Sequence, residues 1–459
     1  MAAASLLVRP LSSPEEYAWQ FHLSNQAFSE QPSPEGAQRW QHYLTNFPEF
    51  QPEQLRGAFR DDEYLGGYLM YERLLRMGAA TIPTECIGIV VTHPAHRRQG
   101  VAAAMMQDAI KFAHSRGYAL LLLDGIGNFY HRYGYTDVLD LSVIDIKLPA
   151  VLAQPQSPYR VRLATSDDAE AMLALYQRHS YPYTGSFERS LEQQRYRLYD
   201  YILALAPGGQ ACGYLHALDG NMGNEMAADD WEAMLALLQH HAHFLEPDAL
   251  PPTLRYRLPP TSPMLKMLID HLEVPDASQW RHPADEWVVK SESYHHRDAG
   301  WMARCVHLPT LMGAMLPELQ ARWQRALAHW TGNLHFLIGD ETCALHIDET
   351  NVLLDSSSNQ PSAATPPAYG RDESRTGVDS GAGDNASRPG GGGAASGSGV
   401  LPQHTIQLTP QAFTQLIFGY CPVSWAIQSG QNSLPGEVLA ALTVLFPPDH
   451  TWIPRSDWF

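Results

Sequence analysis

The segment Ile89-Val90-Val91-Thr92-His93-Pro94-Ala95-His96-Arg97-Arg98-Gln99-Gly100, continued by Val101-Ala102-Ala103-Ala104-Met105-Met106, leaves few choices of local fold. An apolar strand stops at a proline turn, and a helix starts behind a glycine. A helix N-terminus offers unbonded backbone N–H groups and the positive end of its dipole, and Gly100 lets a ligand come close to the backbone. Arg97 and Arg98 add donors for charge-assisted hydrogen bonds. The combination suits a phosphate. Neither Gly-x-x-x-x-Gly-Lys-Ser/Thr nor Gly-x-Gly-x-x-Gly stands here, which separates it from two better-known phosphate loops. What stands here is Arg97-x-x-Gly100-x-Ala102. Taken alone, that spacing describes a helix start with solvated arginines equally well.

The residues that follow add context. Tyr118-Ala119-Leu120-Leu121-Leu122-Leu123-Asp124 reads as a buried strand. Behind it comes Phe129-Tyr130-x-x-x-Gly134-Tyr135. These two segments, in this order, resemble the acetyl-CoA loop and the Phe-Tyr-x-x-x-Gly-Phe/Tyr segment of the GNAT N-acetyltransferase superfamily. The resemblance implies acetyl-CoA as co-substrate. Its pyrophosphate is expected on Arg97, Arg98, Gln99, Gly100, Val101, Ala102 and Ala103. The backbone of Val90, Val91 and Thr92 is expected to hold the acetyl oxygen and part of the pantetheine arm, with Gly125 and Ile126 beside it. Tyr130 is expected to act as general acid toward the leaving thiolate. Tyr133 and Tyr135 read as core aromatics.

Along the rest of the chain the pattern is mixed α/β. Helices are expected from Pro14 through Ala27 and from Pro34 to Tyr43, and strands over Leu55–Arg60 and Leu65–Glu72. A second unit opens near Tyr159 with a strand, a helix capped around Thr165-Ser166-Asp167-Asp168, a strand at Gly213–Ala217 and a helix from Asp229 to His243. Its order echoes the first unit without either cofactor segment. A third unit shows strands at Leu334–Ile338, Cys343–Ile347, Asn351–Leu354 and Thr405–Leu408. Between the last two lies a Ser/Gly/Pro/Ala-rich stretch, 356–399, expected to be disordered and to form a long loop inside that unit. The expected units are therefore 1–155, 156–300 and 301–459.

Composition narrows the classes. The formal charge of −18 opposes nucleic-acid binding and is compatible with a polycationic acceptor. No stretch approaches the ~20 apolar residues of a membrane span. The first residues lack a basic n-region, so no secretory signal is expected. Five dispersed cysteines form no metal spacing and suit reduced thiols in the cytoplasm. His240, His241, His243, His295 and His296 lack accompanying carboxylate or cysteine spacing, so no metal is expected.

The C-terminal pattern Leu408-Thr409…Leu416…Gly419…Leu442…Leu445-Phe446-Pro447…Trp452…Asp457 is similar to the sterol-carrier-like domain of the enhanced intracellular survival family of acetyltransferases. Tyr71 to Gly100, with Pro83-Thr84 and Pro94-Ala95-His96-Arg97-Arg98, is the closest stretch. The resemblance implies tandem GNAT folds followed by a sterol-carrier-like α/β domain, assembled as hexamers. It implies acetylation of cationic amines of the aminoglycoside or polyamine kind, and of protein lysines. It also implies that the α-carboxylate of Phe459 is the general base. An α-carboxyl has a reference pKa of ~3.3–3.7, so that role requires burial or a bridging water. Phe28, Glu30, Trp40 and Asp457 are the expected acceptor-binding residues. The rival classes are a protein-lysine acetyltransferase and a non-catalytic scaffold binding CoA or lipid.

Overall fold

The computed structural model describes residues 6–198, 200–243, 245, 253–272, 287–295, 297–327, 329–355, 401–454 and 457. With strands numbered along the chain, the first sheet runs β1 (Leu6–Pro10), β2 (Leu55–Arg60), β3 (Glu63–Met77), β4 (Ala80–Thr92), β5 (Leu120–Gly125), β14 (Gly300–Cys305), β6 (Thr136–Asp137). Only β4 and β5 are parallel neighbours. A parallel pair needs a crossover, and α3 (Val101–Ser115) supplies it. Its buried stripe is Val101, Met105, Met106, Ala109 and Ala113. Asp108 on α3 locks the helix to the sheet by accepting from Arg56 Nε (2.5 Å), Arg56 Nη2 (3.0 Å) and the Tyr68 hydroxyl (2.6 Å).

The opposite face carries α1 (Pro14–Phe28) and α2 (Pro34–Thr45). Each starts at a proline behind a serine cap: Ser13 accepts from the Glu16 amide at 3.2 Å, and Ser33 from the Gly36 amide at 3.0 Å. Both faces of the sheet are thus covered. Leu120 and Leu122 pack into one core and Leu121 and Leu123 into the other, which accounts for the unbroken leucine run.

The second sheet repeats this plan. It runs β8 (Arg160–Leu163), β9 (Tyr201–Leu205), β10 (Ala211–Asp219), β11 (Met222–Ala228), β12 (Thr253–Tyr256), β7 (Leu141–Lys147), β13 (Val289–Tyr294). Again one neighbouring pair, β11 and β12, is parallel, and a helix, α7 (Trp231–His243), crosses between them. Here α5 (Ala169–Ser180) and α6 (Leu191–Tyr196) take the chain places of α1 and α2, while α4 (Leu148–Leu152) packs against α7 and β7, and α8 (Pro263–His271) packs against α7.

The strands do not respect the unit boundaries expected at 155/156 and 300/301. Strand β7 leaves the first unit and pairs between β12 and β13 of the second sheet. Strand β14, placed by the sequence at the end of the second unit and the start of the third, pairs with β5 and β6 of the first sheet. Charge explains the first transfer. Asp145 on β7 lies between Arg255 on β12 (2.6 Å) and Lys290 on β13 (3.4 Å), its register partners on the two sides. Apolar content explains the second: Trp301, Met302 and Ala303 of β14 are core residues of the first sheet.

The third unit is a four-stranded sheet, β17 (Val352–Leu354), β16 (Glu341–Ile347), β15 (Gly332–Ile338), β18 (Gln403–Leu408), packed with α9 (Leu308–Arg325), α10 (Pro410–Ile417), α11 (Val423–Ala426) and α12 (Gly436–Leu445). β17 and β18 are its two edges, so the low-complexity stretch 356–399 connects strands of one sheet; that stretch lies outside the described residues. The alternating Leu334, Phe336 and Ile338 join the same core as Leu69, Tyr71 and Cys86 of the first unit. Glu318 on α9 ties the two units polarly, accepting from the Ala79 amide at 2.7 Å and from Arg322 at 2.7 Å. Among the described residues no helix is long and apolar enough to cross a membrane.

Candidate active site

The parallel ladder between β4 and β5 is short. It pairs Thr84–Ile87 with Leu120–Leu123 and stops. Beyond Ile87, β4 continues along β3 alone, and its β5-facing edge opens as a wedge. The cause is local. Ile89 has φ 44°, in the left-handed region, and the register of β3 against β4 slips between Gly67 and Leu69. Such a backbone is strained for a β-branched residue, of order 1–3 kcal/mol. Helix α1 holds it: the fully buried Gln20 donates to the Ile89 carbonyl at 3.0 Å and takes a short hydrogen bond from the Tyr64 hydroxyl. Val90, Val91 and Thr92, the expected acetyl-binding stretch, form the freed edge. Gln20 and Ile89 were not anticipated. The Gly66-Gly67 pair inside a strand was the available signal for a bulge.

The wedge leads to the loop. His93 caps the turn Pro94–His96 through its Nδ1, 3.3 Å from the Ala95 amide. Arg98 (φ 62°) and Gly100 (φ 84°) then take left-handed conformations, and Gly100 becomes the cap of α3 without any side-chain hydrogen bond. The first amides of α3 therefore keep their donors for a ligand. Among the described residues a side chain at Gly100 would meet only Leu6, at 4.0 Å. Gln99 braces the loop, donating to the Ala95 carbonyl and accepting from Arg60, both at 3.0 Å. Arg97 and Arg98 are exposed and have no ion pair among the described residues. Val101 is buried, and Ala102 and Ala103 are half-buried. This open, uncapped and cationic turn fits a pyrophosphate.

Tyr130 sits at the mouth of the wedge, at the start of a short helical turn, Tyr130–Tyr133. Its ring lies against Gly125 at the end of β5, where a Cβ would be 2.7 Å from the ring. Phe129 (4.9 Å, edge-on) and Tyr135 (6.0 Å) complete the aromatic packing. Burial, with Asp124 and Tyr133 nearby, pushes the Tyr130 hydroxyl up to about 12. It thus keeps its proton through the neutral range, and it has no hydrogen-bond partner among the described residues. Ile126 is exposed beside it.

The acceptor side carries surprises. Phe28 and Glu30, at the end of α1, are exposed, and Trp40 on α2 is half-buried. Asp457 is in a different setting from the one expected for holding a substrate cation. It is buried, and its carboxylate is taken by Arg189 (2.7 Å) and Arg197 (3.1 Å). Nearby, Arg73 on β3 is buried over the rings of Phe47 (4.7 Å) and Tyr71 (5.5 Å), and Arg197 shares the Phe47 ring at 5.0 Å. Arg73, Arg189, Arg197 and Glu225 were not singled out from the sequence. Phe459 lies outside the described residues.

The described residues at the corresponding helix start of the second unit are arranged differently. At the start of α7, Asp230 puts its own carboxylate on the Ala233 amide at 2.8 Å. Asp229 beside it pairs with Arg178 and, at 2.8 Å, with His179. The helix terminus is closed by negative charge where a pyrophosphate would need to sit. Of the histidines, His241 is buried between the Tyr256 hydroxyl (2.8 Å) and the Gly220 carbonyl (2.9 Å), and His295 meets Asp140 at 2.6 Å; His296 lies outside the described residues. No group of three or more metal-capable side chains occurs among the described residues.

Comparison with known proteins agrees with this geometry. Residues 8–138 match the family model described as an acetyltransferase (GNAT) domain. Solved structures align over nearly the whole chain at low identity. A probable N-acyltransferase from Enterococcus faecalis has 15% identity, 99% of this chain and 100% of that chain covered, and a TM-score of 0.67. A GCN5-related N-acetyltransferase from Kribbella flavida has 15% identity, 99% and 100% coverage and a TM-score of 0.64. Eis1 from Mycobacterium abscessus has 15% identity, 99% and 100% coverage and a TM-score of 0.57. Among curated proteins no sequence matches the chain. The wedge, the uncapped loop and Tyr130 all lie within residues 8–138, and that part of the chain is a GNAT acetyltransferase domain.

Proposed function

We propose that this chain moves an acetyl group from acetyl-CoA to an amine of a small cationic acceptor, of the aminoglycoside or polyamine kind. The observation that carries the reading is the wedge between β4 and β5, which opens directly onto the uncapped start of α3 and onto Tyr130. Acetyl-CoA supplies the activated acyl group as a thioester. Arg97, Arg98 and the amides from Gln99 to Ala103 hold its pyrophosphate. The freed edge Val90–Thr92, with Gly125 and Ile126 opposite, orients the acyl arm and offers N–H groups to developing negative charge. Tyr130 holds a proton for the departing sulfur.

The base is assigned to the α-carboxylate of Phe459. Supporting this, Asp457, two residues earlier, pairs with Arg197, which shares the Phe47 ring with Arg73 on β3. Phe28, Glu30 and Trp40 would line the acceptor approach. A hexamer, a cytoplasmic location and a sterol-carrier-like role for the third sheet belong to the same proposal. Lysine side chains of proteins are the competing acceptor.

Release of free CoA thiol tests the reading, with aminoglycosides, polyamines and lysine peptides as acceptors, beside a chain extended by one glycine after Phe459. Acceptor-dependent release that the extension suppresses is the expected result. Equal release from the extended chain removes Phe459 as base. No release with any acceptor, despite acetyl-CoA binding, favours the scaffold reading.

A further inference from the structure

Gln20 on α1 is fully buried, and both ends of its amide are in use. Nε2 donates to the Ile89 carbonyl and to the Ser24 hydroxyl, each at 3.0 Å, and Oε1 accepts from the Tyr64 hydroxyl. A carbonyl can only accept, so the amide has one orientation here. Burial pushes the Tyr64 hydroxyl up, so it keeps its proton as a donor. The Tyr64 ring is packed against Phe59 (5.6 Å, edge-on) and Trp19 (5.9 Å). Gly67 makes room for the arrangement: a Cβ there would lie 2.3 Å from Gln20 Oε1 and 2.9 Å from the Tyr64 hydroxyl oxygen. Further along α1, Ser24 and Asn25 are buried as well, and the Asn25 carboxamide oxygen accepts from the Ser33 amide at 2.8 Å, which ties α1 to the start of α2.

Ile89 belongs to a bulge. β3 and β4 pair Leu69 with Gly88 and Gly67 with Val91, so Ile89 and Val90 together stand opposite Tyr68 alone. The bulge is held from both faces of the sheet. On one, Gln20 of α1 takes the Ile89 carbonyl; on the other, the Tyr68 hydroxyl donates to Asp108 of α3 at 2.6 Å. A trans peptide unit points its C=O and N–H in opposite directions. Fixing the Ile89 carbonyl toward α1 therefore fixes the Val90 N–H away from it, and Val90 is the first residue of the freed edge. An apolar side chain at position 20 would fill the same space without desolvating an amide, and would take this donor from the Ile89 carbonyl. The polar residue is spent on a backbone orientation.

We infer that Gln20 is a positioning residue for acetyl transfer: by holding the Ile89 carbonyl it aims the Val90 N–H at the oxygen of the acetyl thioester. A donor fixed in advance needs no reorganisation when negative charge develops on that oxygen. Tyr64 acts one step further back, by fixing which end of the Gln20 amide meets the bulge. The same side chain links this donor to α1 and, through Asn25, to α2. The inference rests on acetyl transfer taking place at the wedge.

Gln20→Leu and Gln20→Glu, in the full chain, test it by hydrogen exchange over residues 89–92 and by kinetics with an acceptor that the unmodified chain acetylates. In the leucine variant exchange should rise and kcat should fall, each at least about tenfold. The acceptor KM, and the Kd of CoA, which has no acetyl group, should stay within twofold. Glutamate offers a donor to the Ile89 carbonyl only while its carboxyl is protonated. Its kcat relative to the parent's should exceed the leucine variant's at pH 6 and fall toward it by pH 9. Unchanged exchange in the leucine variant overturns the brace. Raised exchange with unchanged kcat overturns the positioning role, and so does a glutamate variant no faster than leucine at every pH. If the leucine variant does not fold, exchange and the pH profile of the glutamate variant, read against the parent, decide. If the unmodified chain acetylates nothing, the transfer reading and the positioning role fail together, and exchange separately judges the brace.

Discussion

A single backbone angle connects sequence to chemistry at this site. Ile89 at φ 44° ends the β4–β5 ladder, and Gln20 keeps it there. Eleven residues on, Gly100 at φ 84° opens the helix start. Gly100→Val asks a β-branched residue to adopt that angle and puts a side chain over the donors. The acetyl-CoA Kd, measured by calorimetry, should rise at least about tenfold through lost amide contacts; unchanged affinity would mean the loop has another ligand. Tyr130 makes a separate prediction. Tyr130→Phe keeps the ring packing against Gly125 and removes the proton. Turnover should fall about 10²-fold or more, as for loss of a general acid, with the acetyl-CoA Kd within twofold. A variant as fast as the parent would leave Tyr130 with packing alone.

At the scale of elements, the two sheets share strand order, and the starts of their crossover helices differ in chemistry. α3 begins at an uncapped glycine beside two exposed arginines, and α7 begins under the carboxylates of Asp229 and Asp230. One acetyl-CoA should therefore bind per chain by titration calorimetry. Asp230→Ala should cost about 1 kcal/mol of stability, as for a lost cap, without adding a second site. A stoichiometry near two would overturn the closed-terminus argument. What the sequence made legible was local in origin. The strand, turn and helix of residues 89–115, the helix starts at Pro14 and Pro34, and the leucine run of β5 each follow from neighbours a few residues apart. The exchange of β7 and β14 was illegible because both are short apolar strands that suit either sheet. The choice of β7 depends on Arg255 and Lys290 flanking Asp145, over a hundred residues away in the chain, and that of β14 on the core of the first sheet. The Arg189–Asp457 pair, 268 residues apart, has the same cause.

For the whole molecule, buried charge sets the pH range of stability from both sides. Glu72 and Glu85 face each other across β3 and β4, and Glu85 is fully buried, its oxygens without a close hydrogen-bond partner among the described residues. Burial, reinforced by Glu72 and partly opposed by Arg116, pushes the Glu85 carboxyl up to about 8. The unfolded value is ~4.3. A carboxyl raised in the folded state contributes stability that is complete below the unfolded pKa and is lost as pH climbs through 8. Groups on the other side behave oppositely. Burial works against ionisation of Asp457 and Asp145, but the guanidiniums around Asp457, and Arg255 with Lys290 around Asp145, hold both below the usual carboxylate range. Their contribution is therefore present above the unfolded pKa and fades as pH falls through the folded one. The chain should be most stable between these limits. Raising pH from 6 to 9 should lower the Tm by several degrees, corresponding to a few kcal/mol. Glu85→Gln, which removes the charge and keeps the shape, should flatten that slope while leaving the acid limb intact. An equally steep alkaline limb in the variant would assign the loss to another group and leave the Glu72–Glu85 pair without a role in it.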